Sequence, residues 1–438
     1  MEKNILKSFV KYVSLNILGM LGLSCYILAD TYFISKALGA TGVAALNFSI
    51  AIYSVIHGIG LMIGIGGATR YSILKSQQDD KKADIVYTTS VKLGCFLGVC
   101  FVIIGIFGSE SLARLLGADA TTLPLTKTYL TTILCFAPFF ILNNLMLTFV
   151  RNDHNPRLSM IAMLTGSFSN IILDYIFMFP LGMGMFGAAF ATGLAPIISI
   201  GVMSMHFIRR KNNFRFIRNR ISWASICDIS SLGLAAFITE VSSAVILITF
   251  NLVILKIKGN LGVASYGIVA NIALVGVSVF TGIGQGIQPI VSRGYGMGNS
   301  SVLKKVMRYA LITSFGIATL IYIAVLYKAE GIVGIFNSEQ SPEVASIAKA
   351  GLRIYFLGFF FAGINIIMAM YFSATERGKE AFMVSVTRGC ILIVPMALLL
   401  SAIFKMEGIW LAFVLTEGAV TIITILMTGL RRNRKILK

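Results

Sequence analysis

The chain has 438 residues, 57% of them hydrophobic and only 13% charged, with a formal net charge of +19 and a mean hydropathy of +0.85. Soluble domains carry roughly a quarter charged residues, so a soluble globular protein is excluded. The chain lacks the polar surface to cover itself in water, and the charge needs an explanation other than nucleic acid.

The opening MEKNILKSFVKYV is a short basic lead into a helix. No small-residue cleavage site follows its apolar run, so no removable signal is expected. A bilayer-spanning helix needs roughly 20 apolar residues. Runs that meet this requirement succeed one another at 9–33, 43–69, 86–108, 124–150, 158–180, 184–208, 231–256, 263–291, 306–327, 344–373, 381–404 and 408–430. The expectation is therefore an all-α membrane protein with twelve transmembrane helices.

Basic residues fall in alternate loops. The termini and loops 70–85, 151–157, 209–230, 292–305 and 374–380, with Arg308 at the next helix start, hold 26 Lys and Arg; the other loops hold 7. Positive loops face the cytoplasm, which places both termini inside and requires an even number of crossings. The net charge is then a topology signal and an attraction to anionic lipid headgroups.

The chain also reads as two halves. LGATGVAALNFSIA (38–51) matches GNLGVASYGIVANIA (259–273), and both lead into Gly-rich turns, GIGLMIGIGG (58–67) and GIGQGIQP (282–289). GMFGAAFA (184–191) matches KMEGIWLA (405–412) at a similar offset. Six spans per half, both halves starting inside, imply parallel repeats about an axis along the membrane normal. The division is an N-lobe at 1–210, a basic cytoplasmic linker at 211–230 and a C-lobe at 231–438. Such lobes enclose a cavity between them.

Carboxylates inside hydrocarbon are costly unless paired, protonated or ion-bound. Four lie within the spans: Asp30, Asp174, Glu240 and Glu417. Asn170 and Asp174 share one helix face at a spacing of four, and an amide oxygen with a carboxylate suits a hard cation or a proton. Asp30 is expected at a similar depth, where mutual repulsion would favour uptake of Na⁺ or H⁺. The second half lacks acids at the corresponding positions, so the coupling site is expected in the N-lobe alone. Glu240 is expected to face the cavity and attract cationic substrate, with Asn251, Gln285 and Gln288 as further cavity candidates. Glu417 and Arg388 are expected to form a structural ion pair. The six cysteines form no C-x-x-C pairs and, like the three scattered histidines, suggest neither disulfides nor a metal site. No catalytic motif is present, so no enzyme and no cofactor are expected.

The segments ADTYFISKALGATGVAALNFS, VRNDHNPRLSMIAMLTGSFSNIILDYIFMFPLGMGMFGAAFATGLA (150–195), GIGQGIQPIVSRGYG (282–296) and TRGCILIVPMALLLSAIFKMEGIWLAF (387–413) resemble those of the multidrug and toxic compound extrusion (MATE) family, prokaryotic type. The resemblance covers nearly the whole chain. It implies two six-helix lobes in a V around a central cavity. It also implies secondary active export of organic cations or drugs against Na⁺ or H⁺ by alternating access. An N-lobe cation site would comprise Asp30, Asn170, Asp174 and Thr192, the last supplying a hydroxyl. Departures are Tyr175, where the family often has Pro, and Asn365, where some members carry an acid in the tenth span. A lipid-linked saccharide flippase of the same superfamily is the alternative. A multi-pass monomer of the cell (cytoplasmic) membrane is expected, with lipids and small-molecule drugs as partners and no nucleic acid.

Overall fold

The computed structural model describes residues 2–336 and 341–436. Lys438, counted with the C-terminal basic cluster, lies outside them. The first half comprises α1 (Glu2–Ser76), α2 (Asp80–Leu115), α3 (Leu123–Cys135), α4 (Ala137–Asn152), α5 (Pro156–Met178), α6 (Gly184–Met203) and the short α7 (Met205–Ile208). The second comprises α8 (Trp223–Gly296), α9 (Ser300–Phe336), α10 (Pro342–Tyr355), α11 (Phe359–Ala374), α12 (Gly378–Val386) and α13 (Ile393–Ile436). Among the described residues, eight helices are long and apolar enough to cross a membrane, or nine if α3 and α4 are taken as one bent span.

Local chemistry explains the interruptions. α3 and α4 meet at 50°, where Pro138 near the start of α4 brings no N–H to continue the preceding helix. A single π turn, Thr387–Ile391, sits four residues ahead of Pro395, whose ring excludes the carbonyl of Ile391 from a normal helical bond. α1 breaks at Gly39 (φ 63, ψ −156) and α8 at Gly259 (φ 63, ψ −155). Positive φ with ψ near −155° is a region essentially open only to glycine, so glycine is the natural residue at both breaks.

The repeat extends through the backbone. The left-handed residues Gly39, Gln78, His154 and Gly184 correspond to Gly259, Gly298, Glu376 and Lys405, each pair about 220 residues apart. Side chains differ at three of these pairs, but the positive φ recurs at each.

Buried apolar residues gather in two large clusters. One runs from Ile34 to Ile229, the other from Phe250 to Phe413 together with Phe9 and Val13. Phe9 and Ile229 are repeat equivalents, so each half sends the first turns of its leading helix into the other's core. The exchange needs close backbone approach. A β-carbon at Gly66 would lie 1.9 Å from the Ile229 carbonyl oxygen, and one at Gly233 would lie 1.8 Å from that of Met62.

Polar bridges reinforce this end of the molecule. Arg70 Nε reaches Asp228 Oδ2 at 2.9 Å, and its other arm meets Glu376. Asn152 donates to Gln288 Oε1 (2.8 Å), Gln288 donates to Thr69 (2.9 Å), and Arg293 donates to the Asn152 carbonyl (3.0 Å). The halves are thus fastened at the end bearing the basic loops.

The connection between the halves is not a free linker. α8 begins at Trp223, and residues 209–222 form an irregular strap laid on the first half. Arg215 and Ile217 donate backbone N–H groups to Asp84 Oδ1 (3.0 Å) and Thr88 Oγ1 (3.1 Å), and Lys92 Nζ holds the Asn219 carbonyl at 2.7 Å. Phe214 is wholly buried among Tyr71, Tyr87, Phe149 and Phe207.

Candidate functional site

Asp174 sits on α5, one helical turn after Asn170, and packing of α5 on α6 brings Thr192 to Asn170. Asp174 and Asn170 are fully buried, and Thr192 and Asp30 are nearly so. The Asn170 amide has two orientations. In one its nitrogen approaches Thr192 Oγ1 at 3.4 Å. In the other it donates to Asp174 Oδ2 at 3.1 Å while its oxygen accepts from the Thr192 N–H at 3.2 Å. The second satisfies both ends of the amide and is chemically preferred.

Asp30, on the first rod of α1, faces the same region, close enough for the two carboxylates to repel each other. Asp30 Oδ1 and Asp174 Oδ1 are buried without a hydrogen-bond partner among the described residues. No Lys or Arg pairs with either acid there. The arrangement therefore joins two desolvated acids to an amide and a hydroxyl, with acceptor capacity left over.

Three phenols that were not apparent from the sequence surround this group. Tyr26, one turn before Asp30, hydrogen-bonds Tyr53 at 2.8 Å, and Tyr129 on α3 lies beside the Thr192 hydroxyl. Tyr26 had a usable signal, its i−4 relation to Asp30; Tyr53 and Tyr129 arrive only through packing.

Thr192, Tyr26 and Tyr53 also line a cleft whose far wall comes from the second half. Glu240 and Gln285 line it from α8, whereas Asn251 and Gln288 lie outside its lining. Gln288 is instead buried in the inter-half bridge. Glu240 faces His57 Nδ1 at 3.4 Å, and His57 stacks on Tyr53. Arg151, counted by sequence among loop bases, is buried in the last turn of α4 and also lines the cleft.

In the second half, Arg388 holds Glu417 through Nε (3.0 Å) and Nη2 (2.6 Å), and Asn365 donates to the other oxygen of Glu417 at 2.7 Å. Thr421 donates to Asn365 Oδ1 at 3.1 Å. This acid is fully paired.

The MatE family model matches residues 16–176 and 235–399. The chain is 26% identical over 438 residues to the multidrug export protein MepA of Staphylococcus saprophyticus, covering 99% of this chain and 95% of that protein. It is also 26% identical over 414 residues to the MepA protein of Staphylococcus aureus, covering 93% and 90%. Among solved structures, a MATE protein in complex with MaL6 superposes with a TM-score of 0.93 at 23% identity over 99% of this chain and 97% of that one. A MOP superfamily transporter from Pyrococcus furiosus gives 0.90 at 23% identity over 97% and 95%.

Proposed function

We propose that this chain, which belongs to the MatE family, is a secondary active exporter of amphipathic organic cations or drugs driven by Na⁺ or H⁺. The observation that carries this reading is the pair Asp30 and Asp174. They are buried carboxylates with no cationic partner among the described residues, beside a cleft bounded by both halves. Export of several compounds is what the related proteins' names describe, and the aromatic cleft wall with Glu240 suits flat cations.

The exchange follows from differential affinity. Protonation, or Na⁺ held by Asp30, Asp174, the Asn170 oxygen and the Thr192 hydroxyl, removes the repulsion between the acids. An ion bound more tightly in one arrangement of the lobes shifts the population toward that arrangement. Substrate in the cleft biases the same equilibrium the other way. Gly39, Gly259 and Lys405 are read as turns between consecutive crossings, which takes nine candidate spans to twelve and leaves both termini in the cytoplasm. The fastened end then faces the cytoplasm and the cleft opens outward. The protein is read as a monomer of the cell membrane with no resident cofactor. A flippase for lipid-linked saccharides would call for a strongly basic cleft, whereas Arg151 is the one Lys or Arg lining it among the described residues.

The test uses purified protein in liposomes loaded with a cationic dye. An imposed Na⁺ or pH gradient drives dye movement in wild type, and the effective gradient identifies the ion. Asp30→Asn and Asp174→Asn each cut driven movement on the order of 100-fold while dye binding persists. Wild-type transport by both variants sinks the proposal.

A further inference from the structure

The Arg151 guanidinium is a buried charge with an unusual deficit. The residue is 1% exposed. Its Nη1 donates to two neutral oxygens, Asn16 Oδ1 at 2.6 Å and Gln285 Oε1 at 2.9 Å, one from each half. Nε and Nη2 have no partner among the described residues. A buried charge without a counter-ion costs several kcal/mol, and orphaned donors add to that penalty.

The two orphaned nitrogens form one edge of the guanidinium fork, the edge that meets a carboxylate side-on with two parallel bonds. The protein uses the same edge elsewhere, since Arg388 meets Oε1 of Glu417 through both its Nε and its Nη2. Arg151 is one of the residues lining the cleft, and its unpaired edge is buried there. Ser199, also lining the cleft, has a buried hydroxyl without a partner. Glu240 is the one carboxylate in the lining among the described residues, and it faces His57.

We infer that Arg151 is an anion-binding subsite in the central cleft, taking a carboxylate group of the transported molecule or a small inorganic anion such as chloride. This deepens the exporter reading and rests on the cleft being its substrate chamber. It adds molecules bearing both a cationic and an anionic group, with Glu240 serving the first and Arg151 the second. With a bound anion the Arg151 charge is neutralised. Departure of the anion leaves Arg151 to be held by Asn16 and Gln285 alone, across the junction of the halves.

The experiment compares a rhodamine bearing a free carboxylate with its methyl ester, by fluorescence anisotropy on purified full-length protein in chloride or gluconate. Wild type binds the acid more tightly than the ester, and Arg151→Gln weakens acid binding about tenfold or more, equal to 1.4 kcal/mol per decade, while leaving ester binding unchanged. Arg151→Lys restores part of the preference. If chloride weakens acid binding and raises the melting temperature of wild type but not of Arg151→Gln, the site also accepts the free anion; without a chloride effect, the substrate carboxylate alone is its ligand. Equal binding of acid and ester by wild type, with no response to chloride, overturns the inference and leaves Arg151 as a tie between the halves. That comparison needs no variant, so it stands even where Arg151→Gln does not fold. If wild type binds neither dye, the exporter reading falls, and the chloride-dependent melting shift still decides the anion subsite.

Discussion

Asp174 and Glu417 are buried to a similar degree on membrane helices, 0% and 2% exposed, yet their surroundings are opposite. Glu417 meets a two-pronged guanidinium and an amide donor, so its charge is answered from within the protein. Asp174 shares its region with a second acid and neutral oxygens, and one of its own oxygens is unpartnered. A buried carboxylate can be made tolerable by a fixed counter-charge or by a mobile one. The second half uses the fixed solution and the first leaves room for the mobile one. The two acids are not repeat equivalents, but they sit in halves that share positive-φ positions while their charges have diverged.

Four experiments break or sharpen the contrast. The largest effect is expected at the mobile site: Asp174→Asn reduces gradient-driven dye transport on the order of 100-fold, the scale of a strong coupling free energy. Adding Asp30→Asn then costs little more, because the two acids act as one unit; full additivity in the same assay would separate them. At the fixed site, Arg388→Met leaves Glu417 buried without a counter-charge, a loss of about 3–5 kcal/mol in stability. The double replacement Arg388→Met with Glu417→Gln recovers much of it. Thermal melting in detergent measures both, and transport per folded molecule should change far less than for Asp174→Asn. Gly66→Ala tests the seam between the halves. Its new methyl meets the Ile229 carbonyl, overpacking that costs typically about 1–3 kcal/mol, so a cysteine pair across the fastened end should cross-link more slowly than in the parent. Unchanged cross-linking argues against a tight seam in solution.

The smallest effect concerns Asp153, in the turn after α4. Burial acts to raise its pKa, but hydrogen bonds from His206, the Asn213 backbone and side chain, and Tyr71 outweigh it and hold the carboxyl below the usual range. A depressed carboxylate pKa contributes stability above the unfolded value, near 4, that is lost as pH falls through the lower folded value. Asp153→Asn should therefore lower the melting temperature by a few degrees at neutral pH, as about 1 kcal/mol would, and the gap to wild type should narrow on acidification below pH 4. A pH-independent gap would show that packing, not charge, sets the difference.

Much of this was open to a reader of the sequence. Long apolar runs, alternating basic loops and the paired Gly-Val-Ala segments led to an all-helical membrane chain in two related halves. The spacing of Asn170 and Asp174 on one helix face marked the candidate site, because helical periodicity is local. What was hidden depended on distant segments. Arg151 sits beside a loop and counts as a loop base until Asn16 and Gln285, from two other helices, close over it. Tyr129 reaches Thr192 only through the packing of α3 on α6. The bend at Phe136 had a local cause in Pro138, but a continuous apolar run concealed it.

The strap over residues 209–222 sets a length scale for any rocking of the halves. It is pinned to α2 as far as Asn219, so only Arg220, Ile221 and Ser222 separate the last anchor from the start of α8. The four Cα steps from Asn219 to Trp223 reach at most about 14 Å when extended. The chain thus works as a short leash: Asn219 and Trp223 can be no farther apart than that before the strap must peel from α2. A larger opening has to pivot about this corner, so the widest excursion falls on the side of the molecule opposite it.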